Sequence, residues 1–519
     1  MTETERKRDL APWWQKAVVY QIYPRSFSDS NGDGVGDLAG ITARLDHLLW
    51  LGVDAIWISP FFRSPMKDFG YDVSDYCDVD PVFGDLADFD ALVAAAHERE
   101  LKVMIDWVPA HSSSLHPWFV EARASRDNPR RNWYIWRDPG PSGEVPNNWR
   151  AAFINQPAWT LDEKTGQFYL HSFLPEQPDL NWAEPALVEA MHETLRFWLD
   201  RGVDGFRADV ISTIGKDPDL PDVDEKLAEI PAFVFRHEES THGYLREIRA
   251  LLDRYTGDRA MVGEVALLDP EQIASFYGSG DELHMSFNFA PLFAPWDSEA
   301  WRGQISAIAK AFDPRDAWPT WVLSNHDQPR QRTRYGSLAR ARAAAVLLLS
   351  LRGTTFLYMG EELGLEDAVI PENRVVDPGG RDGCRAPVPW NSEPGHGWGE
   401  APWLPFPPDS ASANAAVQRE DPGAILHLYR RLLAARKASP ALQLGDLSLL
   451  PAPDGVLAWQ REFEGDLRIV VVNFKEEAVG FPIAGDFETQ IASDGKGENE
   501  RYTGRLEADQ ALVLKPAKQ

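Results

Sequence analysis

From Ala17 onward, short and densely apolar runs alternate with longer stretches in which apolar residues recur every three to four positions. The short runs Ala17–Ser26, Asp54–Ser59, Leu101–Val108, Val203–Val210, Ala260–Val265, Leu283–Phe289, Thr320–Ser324 and Thr354–Tyr358 read as buried strands. Ile41–Leu51, Phe89–Glu100, Ala186–Asp200, Tyr244–Tyr255, Pro270–Tyr277, Gly303–Phe312 and Leu338–Leu349 read as the helices between them, and Gly423–Lys437 as the last helix. Strands and helices in that alternation predict an α/β fold, a (β/α)8 or TIM barrel, with its chemistry at the C-terminal ends of the strands.

Two connections are too long to be plain loops. Pro109–Leu180, after the third strand, carries Trp118, Trp133, Trp136, Trp149 and Trp159 among Gly/Pro turns, and is expected to fold as a small subdomain roofing the barrel. Gly360–Pro422 is rich in Pro, Gly and Trp and precedes the last helix. After Pro440 short alternating runs, Leu447–Pro451, Val456–Phe463, Leu467–Asn473, Glu488–Ile491 and Ala511–Leu514, predict a C-terminal antiparallel β-sandwich. The expected division is a barrel over 1–108 and 181–440 (with 360–422 an extended loop region), an inserted subdomain over 109–180 and the sandwich over 441–519.

Hydrophobic residues make up 44% and charged residues 25% of 519, the composition of a soluble globular chain with a large core. With 52 basic against 80 acidic residues the net charge is −28, a field that repels nucleic acid and anionic lipid and favours a small neutral substrate. Twenty tryptophans exceed what packing needs, and stacking on sugar rings is one use for them. Cys77 and Cys384 stand far apart without metal-ligand spacing, so a reducing, cytoplasmic setting is expected, and no run approaches the length of a membrane span.

Polar residues concentrate at four strand ends: Asp106-Trp-Val-Pro-Ala-His111, Arg207-Ala-Asp209, Val262-Gly-Glu264-Val and Ser324-Asn-His326-Asp327-Gln-Pro-Arg330. A lone Arg-x-Asp is ordinarily a structural ion pair. Carboxylates and histidines converging on one barrel face are harder to dismiss, because burying them without a return costs several kcal/mol. Such a cleft suits glycosidic bond cleavage, in which one ionised carboxylate attacks the anomeric carbon and one protonated acid assists the leaving oxygen. Arg207, two residues away on the same strand face, is expected to hold Asp209 ionised as nucleophile. Glu264, flanked by Val262 and Val265, is expected to have a raised pKa and act as acid/base, with Asp327 stabilising the oxocarbenium-like state. His111 and His326 are expected to donate to sugar hydroxyls.

These motifs resemble the α-amylase family, glycoside hydrolase family 13, over nearly the whole chain. Within it the sequence is similar to the α-glucosidase and oligo-1,6-glucosidase branch. The resemblance is carried by Trp14-Gln-Lys-Ala-Val-Val-Tyr-Gln-Ile-Tyr-Pro-Arg-Ser-Phe27, Gly70-Tyr-Asp-Val-Ser-Asp-Tyr76, Gly205-Phe-Arg-Ala-Asp209, Gly263-Glu264, Asn325-His-Asp327 and Gly380-Arg-Asp-Gly-Cys-Arg385. It implies a retaining double displacement through Asp209, Glu264 and Asp327. It also implies a pocket for the non-reducing-end glucose lined by Tyr71, Asp72, His111, Arg207, His326 and Arg385. Tyr71 would stack on the ring, and Asp72 and Arg385 would hold its far hydroxyls, giving exo action on short α-glucosides with transglucosylation alongside.

Asp29-Ser-Asn31-Gly-Asp33-Gly-Val35-Gly-Asp37 spaces oxygen ligands through a glycine-rich turn, as a hard cation requires. The resemblance places a structural calcium, or magnesium, there, with the Val35 carbonyl among its ligands and no organic cofactor. Ala110 stands where relatives carry asparagine, so no second calcium is expected. Val210 after the nucleophile resembles the α-1,6-acting branch. The rival readings are a transferase of the same fold (a sucrose isomerase, trehalose synthase or transglucosylase) and, more remotely, a non-catalytic sugar-binding or transporter-accessory protein, which typically lacks a catalytic carboxylate.

Overall fold

A computed structural model describes residues 10–154, 156–227, 230–232, 238–399 and 401–517. Eight parallel strands form the central sheet: β1 (Val18–Ile22), β2 (Ala55–Ile58), β3 (Lys102–Trp107), β4 (Gly205–Ala208), β5 (Ala260–Gly263), β6 (Met285–Ser286), β7 (Thr320–Val322) and β8 (Thr354–Tyr358). Their order is β6-β5-β4-β3-β2-β1-β8-β7, so the sheet curls until β6 and β7 meet. Among the described residues no backbone ladder joins those two strands. The Thr320 hydroxyl spans the seam, donating to the Ser286 carbonyl at 2.8 Å and accepting from the Asn288 amide at 3.2 Å. This is why only Met285–Ser286 of the expected strand Leu283–Phe289 is paired.

Both faces of each strand are buried, as near-continuous apolar runs demand. Val19, Trp57, Met104, Val262, Met285, Val322 and Phe356 fill the barrel interior. Outside lie α1 (Leu38–Leu51), α2 (Leu86–Glu98), α3 (Pro185–Asp200), α4 (Glu238–Leu252), α5 (Ser298–Phe312), α6 (Leu338–Ser350) and α7 (Ile425–Ala438). Asp37 caps α1 by accepting from the Gly40 amide at 2.6 Å, and Gly52, at φ 102°, ends it in the left-handed region. Asp85 and Asp88 form a capping box on α2. The helix expected over Tyr244–Tyr255 begins six residues earlier, at Glu238, because its first turns are polar and carry no apolar period.

Between β3 and α3 the chain folds over the C-terminal ends of the strands. It builds an antiparallel sheet of Trp136–Arg137, Gln167–Leu170 and Trp159–Asp162 around buried Trp149 and Trp159. At the other end of the chain, β9 (Asp446–Leu450), β10 (Val456–Phe463), β11 (Asp466–Asn473), β12 (Phe487–Ala492) and β13 (Ala511–Pro516) pair antiparallel in the order β9-β10-β11-β13-β12. Alternation divides their residues between two layers. Trp459, Val470, Val472 and Val513 join the main core, whereas Ala458, Ile469, Val471 and Leu512 pack beneath the ribbon of Val479–Gly480 and Arg505–Leu506. The sandwich is therefore uneven, one of its layers being that short ribbon. Trp296 Nε1, which donates to Asp509 at 3.0 Å, ties it to the barrel.

Candidate active site

The four strand ends converge. Asp209 follows β4, and its amide still donates to the Trp107 carbonyl of β3 at 2.8 Å, so the ladder holds the residue in place. Val210, at φ 35°, then turns through the left-handed region, a strained conformation for a β-branched side chain of the kind that clusters at functional sites. Glu264 follows β5 and is tied in the same way to the Ala208 carbonyl at 2.8 Å. Gly263 before it is closely packed: a Cβ there would lie 2.5 Å from Leu283 Cδ1 and 2.8 Å from Ile211 Cγ2, so those side chains would have to shift to admit one. Asp327 follows β7 in a turn set by Asn325, whose side-chain oxygen accepts the Asp327 and Gln328 amides at 2.9 Å each.

Arg207 is the hub. Its guanidinium donates to Asp106 at 2.6 Å, to Asp209 at 2.8 Å and, by a short contact, to Glu264, and it lies 3.4 Å from the Tyr71 hydroxyl. Arg207 favours the charged form of Asp209 but is opposed by burial. Burial pushes Asp209 up to about 7 and outweighs Arg207, whose charge is shared among three carboxyls. Burial also pushes Glu264 up to about 8, with Arg207 opposing and Asp209 reinforcing the shift. The two carboxyls are within hydrogen-bonding reach of each other and on one guanidinium, so they titrate as a pair. The pair's proton rests on Glu264, the group with the higher affinity for it.

Asp327 is the opposite case. Burial disfavours its charge, but the cations Arg381 and Arg385, each at 3.1 Å, hold it well below the usual carboxylate range. His326 is itself pushed down to about 3 by burial and is neutral. Its ring stacks on Tyr71 with centroids 5.5 Å apart and planes 7° from parallel, and its Nε2 lies 2.6 Å from the Tyr71 hydroxyl. His111, also lowered by burial, lies 3.1 Å from the Tyr71 carbonyl.

A cavity of about 300 Å³ opens over these groups, bounded by Asp68, Tyr71, His111, Asp209, Glu264, Asp327 and Arg381, with Phe153, Phe173 and Val210 at its walls. Of the expected pocket residues, Arg207 and His326 are buried behind the lining groups they contact, and Asp72 and Arg385 stand elsewhere. Asp72 is fully buried and turned back into its own loop, accepting from Ser64 Oγ at 2.8 Å and from the Lys67 and Asp68 amides at 2.9 and 3.0 Å. Arg385 is fully buried behind Asp327, with Nε on the His326 carbonyl at 2.8 Å. Their neighbours Asp68 and Arg381 take the pocket wall, 2.6 Å apart. Asp106 was also absent from the expected set. Burial raises it to about 6, and it accepts from Arg207 and from Trp57 Nε1 at 3.0 Å.

Asp29, Asn31, Asp33, Val35 and Asp37 lie on the loop before α1, away from the cavity. Asp29 accepts from the Asn31, Gly32 and Gly34 amides at 3.1, 2.6 and 2.9 Å, and Asp33 from the Val35 amide at 2.8 Å. The oxygens of Asp37 cap α1 and bind Ser30. The donors are all hard oxygens, the chemistry a calcium or magnesium ion takes. Among the described residues no group of three His, Cys, Asp or Glu side chains is placed to ligate a metal.

A parallel barrel with paired carboxyls on a shared arginine at its C-terminal rim defines a glycoside hydrolase. Residues 21–445 match the α-amylase catalytic domain, and the chain belongs to the α-amylase family, glycoside hydrolase family 13. It is 44% identical over 502 residues to a probable α-glucosidase of Rhizobium meliloti strain 1021, covering 90% of each chain. It is 37% identical over 519 residues to an oligo-1,6-glucosidase of Parageobacillus thermoglucosidasius, covering 90% of this chain and 92% of that one. Among solved structures, the α-glucosyl transfer enzyme XgtA superposes with a TM-score of 0.89 at 40% identity, over 98% of this chain and 100% of the other.

Proposed function

We propose that the chain is a retaining, exo-acting α-glucosidase that releases glucose from the non-reducing end of short neutral α-glucosides, with transglucosylation as a side activity. The observation that carries this reading is the Asp209–Glu264 pair on Arg207 inside a cavity of about 300 Å³, the low end of ligand-site volumes and suited to a single sugar ring. Inverting enzymes need roughly 6.5–9.5 Å between their carboxyls to seat a water. A pair within hydrogen-bonding reach has no such room.

In the reaction, Asp209 attacks the anomeric carbon while Glu264 passes its proton to the departing glycosidic oxygen. The ester so formed is opened by water, whose proton returns to Glu264 as Asp209 leaves. Ionised Asp327 faces the positive charge that develops at the ring, and Asp68 with Arg381 holds the far hydroxyls. A sugar alcohol replacing water in the second half gives transfer, in keeping with the similarity to a glucosyl-transfer enzyme. For the loop of Asp29, Asn31, Asp33, Val35 and Asp37 the reading includes a structural calcium or magnesium, supported by the hard-oxygen donor set. A cytoplasmic setting is supported by the free thiols of Cys77 and Cys384.

The test is product analysis on maltose, isomaltose, sucrose, trehalose and a nitrophenyl α-glucoside, recording the first anomer formed. Initial release of α-glucose is expected. Initial β-glucose would overturn retention, and isomerised or lengthened sugars with little free glucose would make the chain a transferase.

A further inference from the structure

A second cavity, of about 600 Å³, lies between the inserted segment and the residues that follow β4, and it shares no lining residue with the catalytic cavity. Its charge is opposite to that of the molecule. Among the described residues Arg126, Arg131, Arg137 and Lys216 line it against the single acid Asp217, in a chain of net charge −28. Arg126 and Lys216 are each paired with an acid, Asp138 at 3.0 Å and Asp179 at 3.1 Å. Arg131 and Arg137 have no carboxylate partner among the described residues. Arg137 donates to the carbonyls of Trp136 and Pro218, at 2.9 and 2.7 Å. Arg131 is only 6% exposed, donates to the Ala122 carbonyl at 3.0 Å and to Gln167 at 2.7 Å, and its Nε finds no partner. Among the described residues neither guanidinium has its charge matched by a carboxylate, which leaves this wall electropositive toward an anionic oxygen.

The remaining lining supplies apolar faces. The Arg131 guanidinium sits 3.4 Å above the centre of the Trp136 ring, and Trp182 and Tyr244 meet at 5.4 Å and 52° to form a corner. Such rings take the hydrophobic face of a sugar, while the amides of Asn132 and Gln167 on the same wall offer donors and acceptors for its hydroxyls. The volume lies within the range of roughly 300–1,000 Å³ that ligand-binding clefts occupy.

We propose that this cavity is a binding site for a phosphorylated monosaccharide, its ring against the half-buried Tyr244 and its phosphate on the wall of Arg131 and Arg137. Lys216 joins this wall through Asp179 to His111, with which Asp179 forms a backbone bridge and which lines the catalytic cavity.

Titration calorimetry of the full chain with glucose 6-phosphate, glucose and inorganic phosphate tests the proposal. Saturable binding of glucose 6-phosphate is expected, at least about ten-fold tighter than either half alone. It should weaken at least about ten-fold in Arg137→Ala, whose melting curve is recorded alongside. Should that variant unfold, Tyr244→Ala is read in the same way. Absence of saturable binding would overturn the proposal, as would inorganic phosphate binding equally tightly, or glucose doing so at a site that Tyr244→Ala weakens. So would affinity unchanged in a folded Arg137→Ala or Tyr244→Ala protein.

Discussion

Arg381 Nη2 donates to Asp68 Oδ1 at 2.6 Å, joining the segment after β2 to the long connection after β8 across one wall of the catalytic cavity. The same guanidinium reaches Asp327 at 3.1 Å, so substrate anchoring and the third carboxylate share one cation. Asp68→Ala is expected to lower kcat/KM by about ten- to a hundred-fold, the worth of one charge-assisted hydrogen bond, with a small change in melting temperature. Asp72→Ala, which strips the partners from a buried loop, is expected to show its main effect in the melt. Steady-state kinetics and melting curves of the two variants decide between the sites, and the reverse pattern would return Asp72 to the pocket.

Asp209→Asn is expected to lose at least about a thousand-fold in kcat while keeping the fold, because no other carboxyl is placed to attack. Circular dichroism and rates on a nitrophenyl α-glucoside measure both. Turnover near the parent level would sink the assignment of the nucleophile.

Catalysis needs the Asp209–Glu264 pair with one proton, since the nucleophile must be ionised and the acid protonated. Burial raises both carboxyls of the pair, so kcat/KM should rise with pH through the pair's first ionisation and fall through its second, both displaced above the ordinary carboxylate range. Glu264→Gln should abolish the alkaline limb, and its deficit should be smaller on a nitrophenyl glucoside, whose leaving group needs little protonation. A profile whose alkaline limb persists in that variant would place the acid elsewhere.

Glu361, 3% exposed below β8, accepts from the Tyr429 hydroxyl at 3.1 Å, and burial raises it from 4.5 to about 7. Between those values the folded chain holds a proton that the unfolded chain releases. Glu361 therefore supports the fold fully below pH 4.5, and that support is lost as pH rises to about 7, on the order of 3 kcal/mol in all. Glu361→Gln should flatten the fall in melting temperature across that window. An unaltered slope would show that Glu361 titrates normally.

Chelation is expected to lower the melting temperature by several degrees if an ion occupies the loop of Asp29, Asn31, Asp33, Val35 and Asp37, with added calcium restoring it. Asp33→Ala should melt at the chelated value and ignore both reagents. A melt indifferent to chelator would leave the loop as a run of Asx turns.

The barrel was legible in the sequence because each of its strands is buried on both faces and reads as an unbroken apolar run. Thr354–Tyr358 matches the structure residue for residue, as does Val456–Phe463 in the C-terminal sheet. The strand around Met285 was overestimated because hydrophobicity records burial, whereas pairing there depends on the Thr320 hydroxyl. At the site, the carboxylates at strand ends were visible because the fold aligns them. Choosing Asp68 over Asp72, or Arg381 over Arg385, required knowing which way a loop turns, and neighbours four apart carry no such signal. The shared load on Arg207 was hidden too, since Asp106 and Glu264 lie 101 and 57 residues from it.

The seam at Thr320 distributes rigidity unequally around the ring. Asp209 and Glu264 stand on strands laddered to each other, so the distance between nucleophile and acid is governed by backbone geometry. Asp327 rides on β7, which has a ladder on one side only and a single hydroxyl clasp on the other. On the proposed mechanism, small shifts of β7 would move Asp327 while leaving Asp209 and Glu264 where they stand. Amide exchange should accordingly open β6 and β7, the two staves at the seam, before β4 or β5.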